Sequence, residues 1–275
     1  MWFFNSILNK FFDLLFLPFR HLDAWFGMVF ISVLTGLLML FIFRLTSNQA
    51  GIKNVKDKIK AHLLELRLFK DNLNISLRAQ GRILRYNLRY ILYSFKPMLV
   101  MIIPLILILV QLNFWFGYEP LRPGESAILK VKLEESANPL ELPVTLEPPA
   151  GLVVETPALR VEEQREIDWR IRAASGGVHD LNLKIGGQSI TKSVAVGFGP
   201  LDRISPVKVK RGFFDEVLYP GEKPLPSSGP IKSVEISYPP KRMNLFGLRL
   251  HWLIAYFALS IIFGFALKKP FKVEI

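Results

Sequence analysis

The chain has 275 residues, 51% of them hydrophobic, with 35 Lys and Arg against 23 Asp and Glu, and no cysteine. The missing cysteines exclude disulfides, zinc–thiolate sites and thiol catalysis, so any folded domain must rest on packing alone. The net charge of +12 is concentrated rather than spread. That excludes reading it as the mark of a nucleic-acid-binding enzyme, because a local excess speaks of orientation and local partners.

Residues 2 to 17 are apolar, yet Asn5, Ser6, Asn9, Lys10 and Asp13 interrupt them. At 100° per residue these five fall in one sector opposite Phe3, Phe4, Ile7, Leu8, Phe11, Phe12, Leu14 and Leu15. The pattern predicts an amphipathic interfacial helix over 1–20, ended near Pro18. The first fully apolar run follows at 24–43, uncharged and about 30 Å long as a helix, which predicts a transmembrane helix over 24–45 closed by Arg44. No basic leader and no small-residue cleavage site precede it, so insertion through the chain's own spans is expected.

Between Arg44 and Lys96 stand twelve Lys and Arg residues against Asp57, Glu65 and Asp71. Apolar residues recur at Ile52, Val55, Ile59, Leu63 and Leu66. After a break at 71–74 they resume at Leu77, Leu84, Leu88, Ile91 and Phe95. This predicts a helical hairpin over 46–95 with a coiled-coil-like seam. Arg78, Arg82, Arg85 and Arg89 form one stripe on the second helix and Lys53, Lys56 and Lys60 a shorter one on the first. Two readings fit: contact with ribosomal RNA phosphates, or a solvated face that enforces topology beside anionic headgroups.

A second uncharged run gives a transmembrane helix over 97–117, with Pro104 inside it as lipid tolerates. Residues 120–198 then alternate. Ala127, Leu129, Val131 and Leu133 oppose Lys130 and Lys132, and Ile167, Trp169 and Ile171 oppose Asp168, Arg170 and Arg172. Leu181, Leu183 and Ile185 run through Gly186-Gly187 to Ile190, Val194 and Val196, a hairpin signal. Together these predict a small β-sandwich of immunoglobulin-like type with Trp169 in its core. The stretch 199–243 holds eight prolines and reads as a connector. A third apolar run at 244–267 predicts the last transmembrane helix, followed by a basic tail at 268–275.

Basic flanks stay on the cytoplasmic side, so the hairpin and the tail are expected inside, and the N-terminus and residues 117–243 outside. The outer segment carries as many basic as acidic residues. The fold class expected is therefore an α-helical membrane protein of the cell (inner) membrane: three transmembrane helices, an interfacial helix, a cytoplasmic antiparallel hairpin and an extracytoplasmic β-sandwich. Chemistry is nearly absent. The four histidines, His21, His62, His179 and His251, lie in four regions, and no catalytic, phosphate-binding or metal-ligating motif appears. No enzyme activity, cofactor or metal is expected.

The spans do hold polar and soft residues. Arg44 closes the first, Ser32, Thr35 and Gly36 share its middle, Gln111 and Asn113 lie in the outer half of the second, and Ser260 in the third. Such residues face other helices or a hydrated cavity. Met39, Met98 and Met101 collect near the inner ends of the first two spans, as suits a surface that accepts varied apolar segments.

An outer interfacial helix, a span ending in Arg44 with Thr46 and Gln49 after it, a basic hairpin (VKDKIKAHLLELR to RILRYNLRYI), and a span opening Lys96-Pro97-Met98 with Pro104 and Val110-Gln111-Leu112 together resemble the YidC/Oxa insertase superfamily. The layout is closest to the short three-span branch that includes subunit three of the endoplasmic-reticulum membrane protein complex, with an added outer β-domain. The resemblance implies a membrane protein insertase or chaperone that guides client segments into the bilayer through a hydrophilic groove. Arg44, Ser32, Thr35, Gln111, Asn113, Met39, Met98 and Met101 are its groove candidates. Implied partners are membrane lipid, newly made membrane proteins, the ribosome at the Arg and Lys stripes, a small membrane subunit, and an outer protein at the β-domain. The alternative is an anchored scaffold subunit of an envelope complex that acts through that domain.

Overall fold

The computed structural model describes residues 2–197, 199–245, 247–271, 273 and 274. Met1, Phe198, Phe246, Lys272 and Ile275, single positions of the expected interfacial helix, β-domain, third apolar run and tail, lie outside the described residues. The chain forms two compact units, one from Met1–Gly27 with Leu107–Trp252 and one from Met28–Ile106 with Leu253–Ile275.

In the first unit, α1 (Trp2–Phe16) runs into a short 3-10 turn at Leu17–Phe19, where Pro18 fixes the backbone. Two antiparallel sheets follow. The larger is built on β1 (Ser126–Leu133), flanked by β5 (Glu166–Ala173) and β9 (Ile231–Ile236). β3 (Leu152–Val154) and β4 (Leu159–Val161) pair with β5, and β8 (Val207–Val209) pairs with β9. The smaller orders β2 (Val144–Glu147), β6 (Gly177–Ile185) and β7 (Gln188–Val196). Alternation dictates what meets: Leu129 stands opposite Trp169 and Ile236, and Val131 opposite Ile167 and Val234. These side chains share one core with Leu181, Leu183, Val194 and Val196 of the smaller sheet. Between β6 and β7, Gly186 and Gly187 take φ of 55° and 80°, both in the left-handed region that a two-residue turn of this twist demands.

The stretch expected to be a connector, 199–243, instead belongs to the larger sheet. β9 sits between β1 and β8 because Ile231, Val234 and Ile236 complete the core, and Pro206 and Pro230 precede the strands, where a missing amide donor costs no ladder bond. The same stretch carries α5 (Phe213–Leu218). Tyr238 ties it to the smaller sheet, its Oη accepting from Ala195 N at 2.9 Å. Burial pushes that phenol far above its ordinary range.

The second unit is helical. α2 (Ala24–Thr46) and α4 (Leu73–Phe116) are long and apolar enough to cross a membrane. α3 (Gln49–Leu68) pairs with the first part of α4 across a turn at 69–72, two residues before the expected break. Asn72 Oδ1 accepts from Ile75 N there, capping α4. α4 does not stop between hairpin and apolar run: it continues through Pro97 and Pro104 as one helix of 44 residues.

The third apolar run is shorter than 244–267. β10 (Arg242–Leu245) and β11 (Leu248–His251) form a hairpin closed at Gly247, whose φ is 89° and whose amide donates to Asn244 Oδ1. α6 begins only at Trp252 and ends at Leu267, 16 residues or about 24 Å. Asn244 and Gly247 are turn residues, and they outweigh the apolar composition around them.

Candidate functional site

Gly36 on α2 lets α6 come close. A Cβ there would sit 3.3 Å from Gly264 N and 3.4 Å from Ser260 O, tighter than ordinary packing allows without a shift. A Cβ added at Gly264 would meet nothing within 4 Å, and Gly264 lines a cavity. The cavity holds about 340 Å³ and is lined by α2, α4 and α6.

Its walls are almost wholly carbon. Thr35, Met39, Met98 and Met101 line it, as do Phe43 and Phe265. The polar exceptions are hydroxyls. Thr35, Tyr256 and Ser260 belong to the lining, and Ser32 is buried one turn before Thr35. Thr35 and Ser260 both lie close enough to Tyr256 for their hydroxyls to interact with its phenol, so the polar side chains of the lining form one cluster.

Four of the eight groove candidates, Thr35, Met39, Met98 and Met101, therefore come together. Ser32 lies behind them. Arg44 is exposed at the end of α2 and lines no part of the cavity, although Phe43 beside it does. Gln111 and Asn113 belong to the other unit, where Gln111 is fully buried with Nε2 donating to Asn9 Oδ1 at 2.8 Å. A hydrophilic groove was expected; the cavity instead has an apolar wall with hydroxyls set in it. Tyr256 and Gly264 were not singled out from the sequence. The Ser260-x-x-x-Gly264 spacing, which places two small residues on one helix face, is the signal that points to them.

The hairpin holds a basic surface. Lys53, Lys60, Arg78, Arg82, Arg85 and Arg89 are exposed. Arg82 lies 3.8 Å from Glu65, Lys60 lies 3.7 Å from Asp57, and Arg89 stacks over Tyr86. Lys56 is half-buried and donates to Glu274 Oε2 at 3.1 Å, while Glu274 N donates to Gln49 Oε1. That bond to Lys56 holds the Glu274 carboxyl below its usual range and ties the tail to α3.

The expected seam holds only at the start of α3, since Leu63 further along is 50% exposed, and it turns over on α4. Ile52 and Val55 are buried, but Leu77, Leu84, Leu88, Ile91 and Phe95 are all at least half exposed. The face of α4 turned toward α3 carries Ala79, Ile83, Tyr86 and Tyr90 instead, with the His62 and Tyr86 rings stacked at 5.6 Å and Lys58 over the same ring. Tyr86 binds two cations and an imidazole at once, which a leucine at that position would not.

No family model, curated protein or solved structure matches this chain.

Proposed function

We propose that the chain is a membrane protein insertase or chaperone of YidC/Oxa type, in which α2, the part of α4 from Pro97 onward and α6 cross the bilayer. The β-rich unit would be an immunoglobulin-like sandwich on the outer side of a cell membrane, and the hairpin and tail would be cytoplasmic. The observation that carries this reading is the cavity among three apolar helices, with three methionines and a cluster of three hydroxyls on its wall. Methionines adapt to varied apolar segments, and the hydroxyls receive a polar backbone or side chain that lipid would leave unsatisfied. No chemical step is needed. An insertase lowers the cost of moving a polar flank through hydrocarbon, about 2.5–3.5 kcal/mol for a central Arg, Lys or Asp on insertion scales. α6 adds to this: at about 24 Å it is shorter than a hydrocarbon core of about 30 Å, and a short span thins the bilayer around it. The Lys56–Glu274 pair favours placing tail and hairpin on one side.

Photo-crosslinkers at Thr35, Met39 and Met98 test the reading. Adducts with several newly made membrane proteins are expected. Capture of a single fixed partner at all three positions would overturn it in favour of the anchored scaffold.

A further inference from the structure

The β-rich unit carries an apolar surface that its own core does not absorb. Along α1, Asn5, Asn9, Phe12 and Phe16 are buried, and Phe3, Ile7, Phe11 and Leu14 point outward. On α5, Phe213 and Phe214 are 63% and 77% exposed and pack edge to face at 5.3 Å, and Leu218 on the same side is half exposed. Soluble proteins rarely leave such aromatic patches to water, and an exposed pair of rings on a six-residue helix gives the β core nothing.

The hydrogen bonds of α1 say how deep this patch lies. Asn5 Nδ2 donates to Glu216 O and Asn9 Nδ2 to Pro220 O, both at 2.7 Å and both buried, so the second half of α5 and the turn after it hang on α1. Asn9 in turn accepts from Gln111, five residues before α4 ends at Phe116. At 1.5 Å per residue, Asn9 of α1, on which the turn after α5 hangs, therefore meets α4 about 8 Å inside the end of an apolar helix. Interfacial helices bury their apolar face about 5–10 Å into the boundary of headgroups and acyl chains, which is the same depth. Arg211, exposed just before α5, has the reach to keep its charge among headgroups.

We infer that the Phe213–Phe214 turn is a second lipid anchor, inserting both rings into the leaflet that α1 occupies and holding the β-rich unit against the membrane surface. The anchor goes beyond the insertase reading and stands whether or not clients are handled, but it requires that α2 cross a bilayer.

Because the chain has no cysteine, single-cysteine variants report on single positions. Phe214→Cys, Leu34→Cys on α2 and Val178→Cys on β6 would each carry an environment-sensitive fluorophore on the full chain in liposomes. Brominated acyl chains should quench the labels at 214 and 34 at least twofold and leave 178 unchanged, whereas aqueous iodide should quench 178 alone. A label at 214 quenched by iodide as strongly as 178 would overturn the anchor. So would a label there that neither agent reaches, since protein and not lipid would then cover it. Loss of lipid quenching at 34 would bring down the membrane reading itself and the anchor with it, which separates the two failures.

Discussion

Lys192 is fully buried on β7, its Nζ donating to Ser205 O at 2.6 Å and paired with the Glu222 carboxylate. Burial pushes its ammonium below the usual lysine range against the pull of Glu222. Lys192→Ala leaves Glu222 with Lys208 at 3.9 Å as its remaining cation and should cost about 3 kcal/mol, whereas Lys192→Met with Glu222→Gln removes both charges of the close pair and should recover part of that. Denaturant unfolding of the full chain distinguishes them; equal losses would contradict a paired role. The position was legible: the register that turns Ile190 and Val194 inward turns Lys192 inward too. What the sequence did not show was Glu222, thirty residues on in a stretch that reads as connector. Glu166, 7% exposed, is a second case. Burial alone would raise its pKa, but Lys130 at 2.9 Å and Lys132 at 3.4 Å outweigh burial and lower it. A lowered carboxyl contributes stability in full above its ordinary 4.5 and loses it as the pH falls through the lower native value. Glu166→Gln should therefore flatten the acid limb of an unfolding titration of the full chain, and an unchanged limb would argue against the pairing.

Elements were legible where one period of apolar residues competes with nothing else, as in β1, β5 and the β6–β7 hairpin. They were misread where two apolar faces share one helix. On α4 the leucines at 77, 84 and 88 obey helical spacing, yet Tyr86 offers α3 a ring that His62, Lys58 and Arg89 all use. Tyr86→Ala should destabilise the hairpin by about 1–3 kcal/mol, and Leu84→Gln should change it by less than about 0.5 kcal/mol. Hydrogen exchange over 49–96 measures both; the reverse order would restore the leucine seam. α1 shows the same lesson, since its asparagines were expected to face water and instead bond to backbone carbonyls at 216 and 220. Composition fixes that a helix is amphipathic, but the partner decides which face is covered. Between α2 and α6, Gly36→Leu should separate the helices and lower the thermal midpoint of the full chain, because the added side chain meets backbone at 3.3 Å.

For the molecule as a whole, the two long apolar helices, the basic hairpin between them and the β-rich segment were readable from charge and periodicity. The cavity was readable only in part. Thr35, Met39, Met98 and Met101 announce themselves as unusual residues in apolar runs, but the void depends on how α2, α4 and α6 come together, with Gly36 letting α6 approach α2 closely. No local pattern encodes a void. Under the insertase reading, this cavity receives segments on their way into the bilayer. Gly264→Leu tests it most directly, because Gly264 lines the cavity and a Cβ there would meet no neighbouring atom within 4 Å. Liposomes carrying the full chain should insert newly synthesised membrane proteins well above protein-free liposomes, and Gly264→Leu should lose most of that gain, at least fivefold, while melting at the same temperature. Insertion by the variant at the full rate would contradict the account.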